Sequence, residues 1–159
     1  MVRPATTREH VLLTLGPSRY ALPAAVVTRL SAPPVLSRLP GVPEWVAGLG
    51  DLRGRIVPVL DLRPLLGAPA TPWPAGTRVI ACALPVEGAR PVDVGLLADA
   101  VLGVVDVDPA AVRPLPLGPD GGPDTGPDGL LGGLLPGPPP VALLDPAGLL
   151  ALRRRLAEV

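Results

Sequence analysis

Proline and glycine stand at more than a quarter of all positions, 25 and 19 of 159 residues, and that density governs what the chain can become. It lies near the level at which disorder is the default expectation. Against it, 48% of residues are apolar and only 18% charged, a balance that disordered chains do not carry. Together these predict a folded protein of strands and turns with one disordered patch. Nine prolines and eight glycines fall within 114–140. Inside it, 118–128 has an acidic Pro-Gly-Asp pattern with almost no apolar anchor, and should be a flexible loop.

The filling of the core is equally constrained. Phe, Lys, Asn and Gln are absent, and Tyr20, Trp45 and Trp73 supply the only rings, so Leu, Val and Ala must do the packing. Three rings cannot form a base-stacking platform. Fourteen arginines balance fourteen acidic residues, which leaves no global field for nucleic acid or an anionic membrane. Cys82 is the only cysteine, which excludes an internal disulfide and suggests a reducing compartment. Met1 to Arg8 lacks the apolar region of a signal peptide, and no apolar run approaches the roughly 18 residues of a membrane span. A cytoplasmic protein without direct membrane insertion is expected.

Along the chain, His10 to Leu15 reads as a strand, Gly16-Pro17-Ser18 as a turn and 19–22 as the returning strand. Alternation predicts a strand over 35–39. A hairpin is expected around Arg53-Gly54, with Arg55 to Leu60 leaving it, and Asp61 should cap a helical turn that Gly67 stops. Proline makes 68–77 a connector. Strands are expected at 78–84, 91–98, 101–107 and 141–144. Asp145-Pro146 then starts a helix whose stripe is Leu149, Leu150, Leu152 and Leu156, with Arg153 to Arg155 at the favourable end of its dipole.

A disguised repeat runs through this order. Pro58 to Leu66 aligns with Ala142 to Leu150, each a strand, a capping Asp and a Leu-Leu helix, with Asp61 and Asp145 separated by 84 residues. The segments before them agree loosely. Two copies suit two small barrels, over about 9–67 and 77–150, that share an apolar seam because neither could bury enough surface alone.

Few residues suggest chemistry. His10 has no second histidine or thiol beside it, so a metal site is not expected. Cys82 lies in an apolar strand with no cation to lower its pKa. The glycines of Gly48 to Gly54 precede a strand rather than the helix N-terminus that phosphate binding needs. Asp106 and Asp108 share a strand face beside no acid-raising pocket. Ser18, Ser31 and Ser37 lack the setting of a nucleophile. Neither an enzyme nor a cofactor is implied. Arg53, at the tip of a Gly-framed hairpin, is either a solvated turn residue or an anchor for a protein partner.

The run Gly48-Leu49-Gly50-Asp51-Leu52-Arg53-Gly54-Arg55-Ile56-Val57-Pro58-Val59-Leu60-Asp61-Leu62-Arg63 strongly resembles the signature of CheW-like domains. Val11 to Tyr20 resembles their opening hairpin, Arg38-Leu39-Pro40 to Gly48 their approach to the signature, Leu96 to Val101 a later strand, and Gly129 to Leu150 their closing strand and helix. The resemblance covers 9–152 and leaves tails at 1–8 and 153–159. It implies a mainly β fold of two packed five-stranded SH3-like β-barrels with short helices and a C-terminal helix. It further implies a non-catalytic adaptor whose partners are the regulatory domain of a CheA-type histidine kinase, the cytoplasmic tip of a chemoreceptor and other CheW-like domains; a diverged module of a non-chemotactic system is the alternative. The residues matching the family's partner-binding positions are Val27, Arg29, Gly48, Asp51, Arg53 and Ile56. Arg29 stands where the family often carries an acid, and Asp51 where asparagine is commoner.

Overall fold

Short apolar runs bounded by Gly and Pro become eleven strands in the computed structural model, which describes residues 8–156. They are β1 (Arg8–Leu15), β2 (Ser18–Pro23), β3 (Val27–Ser31), β4 (Leu36–Ser37), β5 (Val46–Leu52), β6 (Arg55–Leu60), β7 (Arg78–Leu84), β8 (Val92–Ala98), β9 (Ala100–Val107), β10 (Leu131–Leu135) and β11 (Val141–Leu144). Helix α1 (Pro146–Arg155) follows. Of the expected tails, Arg8 opens β1 and 153–155 lie in α1; 1–7 and 157–159 fall outside the described residues.

One sheet has the order β10-β11-β2-β1-β9 and the other β3-β7-β8-β6-β5-β4. Neither closes on itself, so the expected pair of five-stranded barrels is corrected to two open sheets of five and six strands. The six-stranded sheet has β3 at one edge and β4 at the other. Ala32-Pro33-Pro34 between them ends β3 and helps confine β4 to two residues, because proline cannot donate to a ladder. In the other sheet, β10 receives only a single bridge from Arg113 on its outer side, and β9 has no outer neighbour among the described residues.

The repeat survives in a form the sequence did not disclose. Equating β1, β2, β9, β10 and β11 with β7, β8, β3, β5 and β6 turns one sheet's order into the other's, with β4 as an addition. Each sheet therefore mixes strands from both halves of the chain. The exchange is made by four pairings, parallel between β11 and β2 and between β6 and β8, antiparallel between β1 and β9 and between β3 and β7.

Between the sheets lies the main core. Leu13, Leu15 and Leu22 from one sheet meet Leu60, Ile80, Leu84 and Leu96 from the other, all at most 1% exposed. Burying each such side chain stabilises the fold by about 1.5–3 kcal/mol. Helix α1 adds Leu149 and Leu152, both fully buried. Its start follows the sequence: the Asp145 carboxylate accepts from Ala147 N at 2.9 Å, and Pro146 takes the first turn. A smaller core of Val59, Val79 and Leu97 forms on the other face of the six-stranded sheet, flanked by Leu36, Ala47, Leu52 and Trp73.

The 118–128 segment folds back on itself, with Gly118 N donating to Gly122 O at 2.7 Å and Asp124 N to Pro116 O at 2.8 Å.

Candidate partner-binding surface

The hairpin between β5 and β6 turns in two residues, Arg53 and Gly54, since Leu52 and Arg55 pair directly. Both are left-handed, with φ of 55° and 80°. That geometry suits the twist of the strands, and glycine or asparagine adopts it at least cost. Asp51 fastens the turn by accepting from Gly54 N at 2.7 Å, so its carboxylate serves the backbone rather than the Arg53 guanidinium. Arg53 is exposed and makes no ion pair among the described residues. Beside it on β6, Ile56 is 66% exposed.

Gly48 lies lower on β5, with φ of 151°. A Cβ there would stand 2.7 Å from Ser37 O, so this glycine makes room for β4. Val27 and Arg29 belong to β3, with β7 and β8 between them and β6. Three strand spacings separate β3 from β6, on the order of 14 Å. Val27 packs partly against the main core, whereas Arg29 is half-buried with a desolvated Nη1 that finds no hydrogen-bond partner. The six residues thus form two groups, the hairpin with Gly48 and the β3 edge. A shallow depression of about 210 Å³ runs between the strands, lined by Thr28, Leu52, Arg55, Val57 and Asp93 among others, with Arg55 and Asp93 paired across it.

The residues set aside as chemistry are placed in the framework. His10 is buried in β1, its Nδ1 3.1 Å from Arg8 O. Cys82 is 2% exposed, and burial pushes its thiol up to about 12. Burial also raises Tyr20, with a hydrogen bond to Ser18 acting in the opposite direction. Among the described residues no group of three His, Cys, Asp or Glu could hold a metal ion. None of their helices is long and apolar enough to cross a membrane.

A second concavity escaped the sequence reading. It is a cleft of about 950 Å³ between the six-stranded sheet and the proline-rich connector, lined by Leu36, Val42, Ala47, Leu97 and Trp73 among others. At its base Arg63 is 5% exposed. Its guanidinium donates through Nε and Nη2 to the Asp61 carboxylate, at 3.0 and 2.9 Å, and through Nη1 to Thr71 O at 2.7 Å. Its carbon lies 3.5 Å from the centre of the Trp73 ring. The Asp61–Arg63 spacing was visible in the sequence, but nothing local announced Thr71 and Trp73 as the remaining partners.

The family model of the CheW-like domain matches residues 9–153. The chain is 28% identical over 109 residues to the chemotaxis protein CheW of Klebsiella aerogenes, which covers 69% of this chain and 63% of that protein. It is 32% identical over 90 residues to protein PilI of Pseudomonas aeruginosa, covering 57% of this chain and 48% of PilI. The chain thus spans less than two thirds of either relative's length. Among solved structures, the scaffolding protein TtCheW from Thermoanaerobacter tengcongensis superposes with a TM-score of 0.72 at 23% identity, over 87% of this chain and 89% of that one. With the family model matched over nearly the whole chain and the fold alike, the chain belongs to the CheW-like domain family.

Proposed function

We propose that this protein is a non-catalytic adaptor in chemotaxis-like signalling that couples a chemoreceptor's cytoplasmic tip to the regulatory domain of a CheA-type histidine kinase. The observation that carries the reading is Arg53, an unpaired guanidinium held at a hairpin tip in a costly backbone conformation beside the exposed Ile56. Strain of this kind persists where the surroundings impose it, and it concentrates at functional positions. Arginine next to exposed apolar surface also has the character of an interface anchor. Val27 and Arg29 extend the surface along the bare β3 edge, Asp51 holds the turn, and Gly48 seats β4 behind it. Other CheW-like domains are further candidate partners. The outer edge of β9, where Leu102 and Val104 are exposed, offers them a second docking strand.

The test is direct binding of the purified chain to a receptor-tip fragment and to a kinase regulatory domain from the same organism. Arg53→Ala should weaken at least one interaction by about 1–3 kcal/mol, roughly 5- to 150-fold in Kd. Asp120→Ala, in the 118–128 loop, should leave both unchanged. Binding to neither partner would overturn the proposal, and binding to a kinase domain alone would favour a module of a non-chemotactic system.

A further inference from the structure

Residues 68–77 form a strap that meets the smaller core through Trp73, and their attachments are few. Prolines 69, 72 and 74 remove three backbone donors. The strap's main-chain hydrogen bonds stay local: Ala68 N donates to Arg63 O, Thr71 N to Pro69 O and Thr77 N to Pro74 O. Among the described residues, none joins 69–76 to a strand of either sheet. What fixes the strap is Arg63. Its guanidinium is anchored on Asp61 at the end of β6, donates to Thr71 O and stacks on Trp73. Trp73 in turn packs on both the main and the smaller core. Glycines flank the segment: Gly67, with φ of 72° and open space around it, and Gly76, whose nearest neighbour would meet an added Cβ only at ordinary contact distance. A segment with local hydrogen bonds, a single polar clasp and glycine at both ends has the features of a unit that opens below the global unfolding free energy.

We propose that 68–77 is a hinged cover latched by Arg63 and Trp73, which opens as a unit while both sheets stay folded. Closed, its Trp73 packs on the core of Val59, Val79 and Leu97 beside Leu36, Ala47 and Leu52, and the strap forms one wall of the 950 Å³ cleft that Leu97 also lines. Open, it exposes an apolar floor, so any ligand of that floor competes with the strap. Arg63 is the latch because its planar fork engages a carboxylate, a carbonyl and a ring at once. Lysine, a point charge on a flexible stem, cannot.

Native-state thiol labelling of the full chain tests this. Val79→Cys places a thiol in the smaller core on which the strap's Trp73 packs, while Cys82, three residues along β7, belongs to the main core and serves as an internal reference. The two are read separately by mass spectrometry of their peptides. The thiol introduced at position 79 should react at least tenfold faster than Cys82 under native conditions. Adding Arg63→Ala should accelerate position 79 a further tenfold or more and leave Cys82 unchanged, and Arg63→Lys should behave like Arg63→Ala. Leu97→Cys provides a second reporter if the first variant does not fold. Equal rates at the two thiols would overturn the proposal, since they mean that the strap opens only with the whole molecule. So would an Arg63→Ala effect that accelerates both alike, or full protection retained by Arg63→Lys.

Discussion

Arg53 occupies a backbone conformation that glycine would hold at lower cost. A non-glycine residue pays roughly 1–2 kcal/mol for left-handed geometry, whereas glycine forfeits about 0.5–1 kcal/mol through the freedom it gains in the unfolded chain. Arg53→Gly should therefore raise stability by roughly 0.5–1 kcal/mol, read as a higher urea midpoint at unchanged slope. An unchanged or lower midpoint would mean that the side chain contributes packing that its exposure does not suggest. Set beside Arg63, the case shows what residue type alone conveys. Arg53 is framed by Leu52 and Gly54, so its exposure at a turn could be read locally. Arg63 follows Asp61 by two positions and resembles any other surface ion pair, yet it is 5% exposed. Its burial depends on Thr71 and Trp73, brought back by a proline-rich segment whose path no periodicity describes. Arg29 differs again, because its unpartnered nitrogen arises from lying against the sheet at β3.

Among the elements, strands with a long apolar run were legible even where one glycine interrupts them, as Gly95 does in β8 and Gly103 in β9, whereas the short β3, β4 and β10 were not. β6, β7 and β11 match the expected 55–60, 78–84 and 141–144, and Asp145 caps α1 as its spacing requires. The strand expected over 35–39 shrinks to Leu36–Ser37, because flanking prolines withhold donors on both sides. β10 went unread: Gly132 and Gly133 interrupt its leucines inside the richest Pro-Gly stretch. It forms because β11 and Arg113 supply partners on its two sides, which is tertiary information. Gly48 shows how one glycine governs a neighbouring element. Gly48→Ala would combine a disfavoured φ with a Cβ pressed on Ser37 O, and should cost about 2 kcal/mol. The accompanying sign is selective loss of the β4–β5 pairing, Leu36 with Gly50, seen as faster amide exchange in those residues while β5–β6 keeps its protection. Unaltered stability would show that β4 shifts freely.

At the scale of the whole molecule, the sequence carries the repeat but not the exchange of strands, since a local pattern states that a strand exists and not which strand it pairs with. That is why the barrels expected from the 84-residue offset dissolve into two mixed sheets. The consequence is a strong interdependence of the halves. A fragment ending at Gly76 contains β1 to β6 and most of the connector with Trp73, yet it gives one sheet only β1 and β2. In the other sheet it leaves β3 without β7 and β8, which separate it from β6. A fragment beginning at Thr77 holds β9 without β1, its partner, and β10–β11 without β2. Neither fragment can assemble a continuous sheet or close the main core, whose residues come from both sides of the cut. Expressed alone, each should lack a cooperative melt followed by far-ultraviolet circular dichroism, and the first fragment, which holds all three rings, should also lack near-ultraviolet tertiary signal. Mixed in equal amounts, they should recover both, because the missing covalent link falls in the connector and outside every strand. A cooperative transition in either isolated fragment would mean that one half builds a sheet by pairing β3 with β6, or β9 with β10, directly. The exchange of strands would then be a product of covalent linkage rather than a requirement of the fold.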